Sequence, residues 1–278
     1  MFLRQLLSAL LLASFLNAAF GLTQPIERDV AYGSDVDQRF DVYAPLGASG
    51  APVIFMVHGG AWARGDKAAA RVVDNKVAHW LPRGFAIVAV NYRMLPKIDP
   101  IEQASDVARA LAAAQRQAMR WGGDPHKFTL MGHSAGAHLI ALLAARPGLT
   151  AAQGAQPWLG AVLLDSGALD VPEIMNGRHL GLYDRAFGSD PAYWQASSPF
   201  HQLSRGGPPL LLVCSTRRFD ACPQAERFVA KAGSFGTRAE LLRLDLSHGE
   251  INSQLGAAPD YTAAVDARLQ VWLSRPSR

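Results

Sequence analysis

The sequence predicts an α/β fold, a mostly parallel central sheet with helices on both faces. Three observations carry this. Short apolar runs rich in β-branched residues recur along the chain, stretches with helical spacing separate them, and several runs end in glycine. Strands buried on both faces read as continuous apolar runs, and parallel neighbours need a crossover between them.

The elements follow in order. RDVAY and QRFDVYAP predict an antiparallel pair at the N-terminal edge. VIFMVHGG (53–60) is the first buried strand, and a helix follows over 68–81. FAIVAVNYR (85–93) is the next strand, and the alanine-rich 100–121 has helical spacing. KFTLMG (127–132) leads without a gap into a helix over 135–146. GAVLLDSG (160–167) and PPLLLVCST (208–216) are further strands. A helix over 222–233, a strand over 238–244 and a helix over 261–274 complete the series. The stretch 168–203 breaks the alternation. It holds Tyr183, Tyr193, Trp194 and several turn signals, and it reads as an insertion capping one end of the sheet.

At 278 residues the chain suits one large domain, expected over 22–278. Its net charge of +4 comes without any Lys/Arg run, which argues against a nucleic-acid partner. Residues 1–21 read as a signal peptide. Arg4 supplies the positive start, Leu6 to Leu16 an apolar stretch, and Ala19-Phe20-Gly21 small residues at a cleavage site. The apolar stretch is shorter than the ~20 residues of a membrane span, so no stable membrane insertion is expected after cleavage. The expected location is periplasmic or secreted. Export permits a disulfide, and Cys214 and Cys222 are the expected pair.

The chemistry centres on Gly132-His133-Ser134-Ala135-Gly136. A serine between glycines, after a strand and opening a helix, is the sharp turn that exposes a nucleophile. Serine needs a base. Of eight histidines, His248 follows the last strand, and in a parallel sheet such loops gather at the end where Ser134 stands. The base needs a carboxylate to orient it. Asp220, in the loop after LLLVC, gives the chain order Ser, Asp, His; Asp165, which also ends a strand, is its rival. HGGAW (58–62) leaves a strand with two glycines in series and predicts an oxyanion hole from Gly59, Gly60 and Ala61, completed by Ala135. His58 is expected to fix this loop, and Trp62 to pack it.

These motifs, with VHGGAWARGDK, VAVNYRMLP and GGDPHKFTLMGHSAGAHL, resemble the α/β-hydrolase esterases, the group that includes hormone-sensitive-lipase-like and feruloyl-esterase-like enzymes and kynurenine formamidases. The resemblance spans nearly the whole chain after the signal. Ala61 stands where the hormone-sensitive-lipase type has a third glycine, so HGGAW is nearer the formamidase and feruloyl-esterase form. The resemblance implies a serine carboxylic-ester hydrolase that forms an acyl-enzyme on small or aromatic esters, with no cofactor and no metal. An aryl formamidase or other amidase would use the same triad, but the export signal argues against it. A non-catalytic binding module would typically lack the serine or the histidine. The expected partner is a small-molecule ester, and nothing in the sequence encodes an oligomeric state.

Overall fold

The computed structural model describes residues 26–274. The signal peptide expected over 1–21 lies outside them. Eight strands form one sheet: β1 (Glu27–Ala31), β2 (Arg39–Tyr43), β3 (Ala51–Val57), β4 (Ala86–Val90), β5 (Gly123–His133), β6 (Gly160–Leu164), β7 (Leu210–Ser215) and β8 (Ala239–Leu244). Their order is β1-β2-β4-β3-β5-β6-β7-β8. Antiparallel pairing is confined to β1–β2 and β2–β4, and the rest is parallel.

The helices are α1 (Ala70–Trp80), α2 (Pro100–Gln117), α3 (Ala135–Ala145), α4 (Gly148–Ala151), α5 (Val171–Asn176), α6 (Gly181–Phe187), α7 (Pro191–Ala196), α8 (Pro199–Gln202), α9 (Ala221–Ser234), α10 (His248–Ser253) and α11 (Pro259–Leu273). The period of two along each strand divides the core. Val53, Phe55 and Val57 face one side with α2, α3 and α9; Ile54 and Met56 face the other with α1, α10 and α11. This is why the strands read as unbroken apolar runs. α3 is buried along all of its length, which explains a helix made only of small and apolar residues around His138. α2 starts at a complete capping box, Asp99 with Glu102.

The register aligns the C-terminal strand ends. Val57 pairs with Gly132, His133 with Leu164, Leu164 with Val213, and Ser215 with Leu244. What leaves β3, β5, β6, β7 and β8 therefore converges at one edge. The excursion between β6 and β7 folds as four short helices, α5 to α8, above that edge.

Candidate active site

Ser134 sits one residue beyond β5 at φ 55°, ψ −116°. A non-glycine residue there carries strain of about 1–3 kcal/mol. The flanking glycines are required because the backbones touch. A Cβ on Gly136 would lie 2.3 Å from the Val57 carbonyl oxygen, and one on Gly132 would lie 2.6 Å from Gly136 itself. The turn is held by the Ser134 N–H donating to the Leu164 carbonyl at 2.9 Å.

Asp165 leaves β6 in the same way, at φ 51°, with its N–H on the Val213 carbonyl at 2.7 Å. Its carboxylate is fully buried. Oδ1 accepts the Ser215 N–H at 2.8 Å, and Oδ2 accepts His248 Nδ1–H at 2.6 Å and Arg218 Nη1–H at 3.0 Å. Burial pushes this carboxyl up, but the bond from His248, the Arg218 charge and the Ser215 N–H outweigh it and hold the pKa below the usual value. The group is therefore ionised at neutral pH. An ionised acceptor on Nδ1 fixes the His248 tautomer and leaves Nε2 with its lone pair.

The carboxylate in contact with His248 is thus Asp165, where Asp220 was the expected one. Asp220 does not reach His248. It receives a bidentate pair from Arg218, Nε to Oδ1 at 3.0 Å and Nη2 to Oδ2 at 2.8 Å. The reason is register. Asp165 follows β6 directly and stands beside the turn at Ser134, whereas Asp220 lies five residues beyond β7, next to the start of α9, with Arg218 in between. Arg218 received no role from the sequence; its only signal was a cation two residues from the favoured acid. Cys214 and Cys222 are joined by a disulfide that closes this loop.

His248 is the first residue of α10, a helix that the sequence reading left as loop. Ser247 caps it, with Glu250 completing the capping box. Two buried groups fix its position. His133 donates Nε2–H to the His248 carbonyl at 2.9 Å, and burial, then the nearby His248, lowers the His133 pKa to about 3. Lys76 on α1 donates to the Asn252 carbonyl at 2.6 Å, and burial lowers its pKa to about 7.

The loop after β3 supplies the other wall. Ala61 and Trp62 both adopt positive φ, 54° and 59°. Trp62 is buried, and its indole N–H donates to His138 Nδ1 at 3.1 Å, so His138 donates Nε2–H to the Ser197 carbonyl at 2.8 Å. One chain of bonds thus ties this loop, α3 and the segment before α8 together. His58 donates Nδ1–H to the Gly59 carbonyl at 2.8 Å and stacks on Tyr92. Gly59 packs against Ser134 and the His133 carbonyl, and Gly60 against the Arg64 carbonyl.

A cavity of ≈ 250 Å³ opens at this edge, lined by Ser134, His248, Ala61, Ala135, Trp62 and Arg218, with Leu180, Leu182 and Tyr183 of the β6–β7 excursion over it. Ala135 is the first residue of α3, where an N–H has no acceptor inside the helix.

Comparison with known proteins adds to this geometry. The BD-FAE family model matches residues 40–160. The isoprenylcysteine alpha-carbonyl methylesterase ICME of Arabidopsis thaliana is 31% identical over 135 residues, 48% of this chain and 31% of that protein. Esterase LipC of Mycobacterium tuberculosis is 28% identical over 210 residues, 68% of this chain and 50% of that protein. The matches thus span half or less of these relatives' own lengths. Among solved structures, a truncated carbohydrate esterase from gut microbiota superposes with TM-score 0.75 at 16% identity, covering 90% of this chain and 96% of that one. Esterase 2 of Thermogutta terrifontis, phosphonylated by sarin, gives 0.74 at 21% identity, covering 92% and 98%. The order of the eight strands, the turn at Ser134 and these superpositions together show that the chain has the α/β-hydrolase fold.

Proposed function

We propose that this protein is an exported serine carboxylic-ester hydrolase. The observation that carries the reading is the convergence of a strained serine, a tautomer-fixed histidine and a buried, ionised carboxylate at one strand edge. Similarity to esterases supports it.

In this reading Ser134 Oγ attacks the ester carbonyl while His248 Nε2 takes its proton. The imidazolium is stabilised by Asp165 through Nδ1–H. The N–H groups of Ala61 and Ala135, both at the cavity wall, receive the developing oxyanion. Each such donor contributes about 2.7–4 kcal/mol to the transition state. His248 then protonates the leaving alcohol, and water hydrolyses the acyl-enzyme with the same base. Gly59 and Gly60, also expected as donors, lack the Cβ that would block the loop's approach to Ser134 and its turn.

The cavity, at ≈ 250 Å³, falls below the ~300–1,000 Å³ of sites for drug-sized ligands. Its lining by Trp62, Leu180, Leu182 and Tyr183 suits a short acyl chain or a single ring. Export rests on the N-terminal leader and agrees with the disulfide, which persists in oxidising compartments.

The test is a hydrolysis panel on the mature protein: p-nitrophenyl esters from acetate to palmitate, a feruloyl ester and N-formylkynurenine, each beside Ser134→Ala. Turnover that peaks at short or aromatic esters and vanishes in the variant is expected. Turnover of N-formylkynurenine with poor ester cleavage would replace this reading with a formamidase.

A further inference from the structure

Arg218 lines the cavity beside the candidate triad, yet it is not placed to bind an anionic substrate. Nε and one Nη2 hydrogen go to Asp220, and the Nη1 hydrogens go to the Asp165 carbonyl, at 3.1 Å, and to its carboxylate. Tyr183 of α6 takes up a further contact. The guanidinium is spent on protein partners, and its charge is matched before any substrate arrives.

The charge count gives the arrangement a purpose. Asp165 has one negative charge, and Arg218 lies 3.0 Å from His248 Nδ1, donating to the same Oδ2. Alone, Arg218 would cancel the charge that stabilises the imidazolium. Asp220, bound in a bidentate pair on the far side of Arg218, restores a net charge of −1 to the three groups. We propose that Arg218 and Asp220 form a positioning pair, in which Arg218 anchors Asp165 and Asp220 offsets its charge so that Asp165 still serves His248. This rests on the reading of Ser134, His248 and Asp165 as the catalytic triad. The pair is seated directly over Gly167, where a Cβ would lie 2.5 Å from Arg218 Nη2 and 2.7 Å from Asp220 Oδ2. The Cys214–Cys222 disulfide clasps the segment that carries both.

The other charged and titratable groups near His248 are few. His133 from β5 is held neutral by burial. Lys76 from α1 is bonded to Asn252 of α10, and Tyr261 of α11 to the Ile251 carbonyl. Arg217 pairs with both Asp245 and Glu250 on the exposed side. Among these, Arg218 is the cation in hydrogen-bonding contact with Asp165.

The test compares pH profiles of kcat/KM for the wild type, Asp220→Asn, Arg218→Met and Arg218→Lys on p-nitrophenyl acetate, with Tm for each. The acid limb reports the base of the free enzyme. In Asp220→Asn the unmatched Arg218 disfavours the imidazolium, so the limb moves down by about half to one pH unit. In Arg218→Met both carboxylates lose their cation and the net charge near His248 becomes −2, so the limb moves up by a similar amount; Arg218→Lys stays near the wild type. For the charge variants kcat falls about tenfold with KM within about threefold. Limbs that stay in place while activity falls only in step with Tm would reduce the pair to a structural clasp and overturn the proposal. If Arg218→Met does not fold, Asp220→Asn decides alone, by the presence or absence of its shift. Loss in Asp220→Asn as deep as in Asp165→Asn, with no shift, would overturn it too and make Asp220 the acid. Failure of the triad reading itself is seen separately, as activity retained in Ser134→Ala.

Discussion

Asp165→Asn is the most informative single change, because the structure fixes what the new amide must do. Asp165 Oδ1 accepts the Ser215 N–H, so an asparagine in the same rotamer keeps its carbonyl oxygen there. Its NH2 then occupies the Oδ2 position, facing His248 Nδ1–H and Arg218 Nη1–H. Three donors cannot share that point. The imidazole escapes by moving its proton to Nε2, which leaves no lone pair for Ser134. The loss of kcat expected from a wrong tautomer is about 10³–10⁴-fold, or roughly 4–5.5 kcal/mol. A buried charge is removed as well, but Arg218 keeps Asp220, so the fold is expected to persist with a modest drop in Tm. The assay is kcat and KM on p-nitrophenyl acetate, with the active-site concentration fixed by titration. Asp165→Asn within tenfold of the wild type would refute the reasoning, as would Asp220→Asn falling further than Asp165→Asn.

Other outcomes follow from the same contacts. Gly136→Ala places a Cβ 2.3 Å from the Val57 carbonyl oxygen and 2.5 Å from that of His58, backbone atoms that cannot yield; a loss of about 3 kcal/mol in urea unfolding is expected, with activity falling further because the loop bearing Ala61 is pushed away. Replacing Cys214 and Cys222 together by alanine frees the short loop with Arg218 and Asp220, and a loss of about 2–3 kcal/mol is expected. His133 and His138 are depressed by burial, to about 3 and about 4. The unfolded chain therefore binds their protons first as pH falls. Their contribution is intact above the ordinary histidine pKa of about 6.5 and is lost between there and pH 4, so Tm should drop across that window, and less steeply in His138→Leu.

Much of this architecture is legible in the residues. Strands buried on both faces leave continuous apolar runs, and the turn at Ser134 leaves its glycines, because no other residue fits between α3 and β3. The position of His248 is legible because a histidine after the last strand of such a sheet has one place to go. Which carboxylate meets His248 was not legible, since two aspartates end up near one arginine. LLDSG and RRFDAC both place a carboxylate after a strand. What separates them is three-dimensional: Asp165 follows its strand with no intervening residue, as Ser134 does, while Arg218 comes between Asp220 and the histidine. No local pattern encodes which of two carboxylates, both bound by one arginine, will also meet the histidine. The link from Trp62 through His138 to Ser197 was hidden for the same reason, as its members lie far apart in the chain.

The central claim is that Ser134 is a nucleophile activated by His248 and Asp165. It is tested most directly by intact-mass spectrometry and peptide mapping after exposure to a fluorophosphonate ester. The account expects one adduct per chain, on the peptide that contains Ser134, formed in step with loss of esterase activity, absent in Ser134→Ala and at least about 10³-fold slower in Asp165→Asn. An adduct on another residue, or full ester turnover by a chain whose Ser134 is blocked, would contradict it.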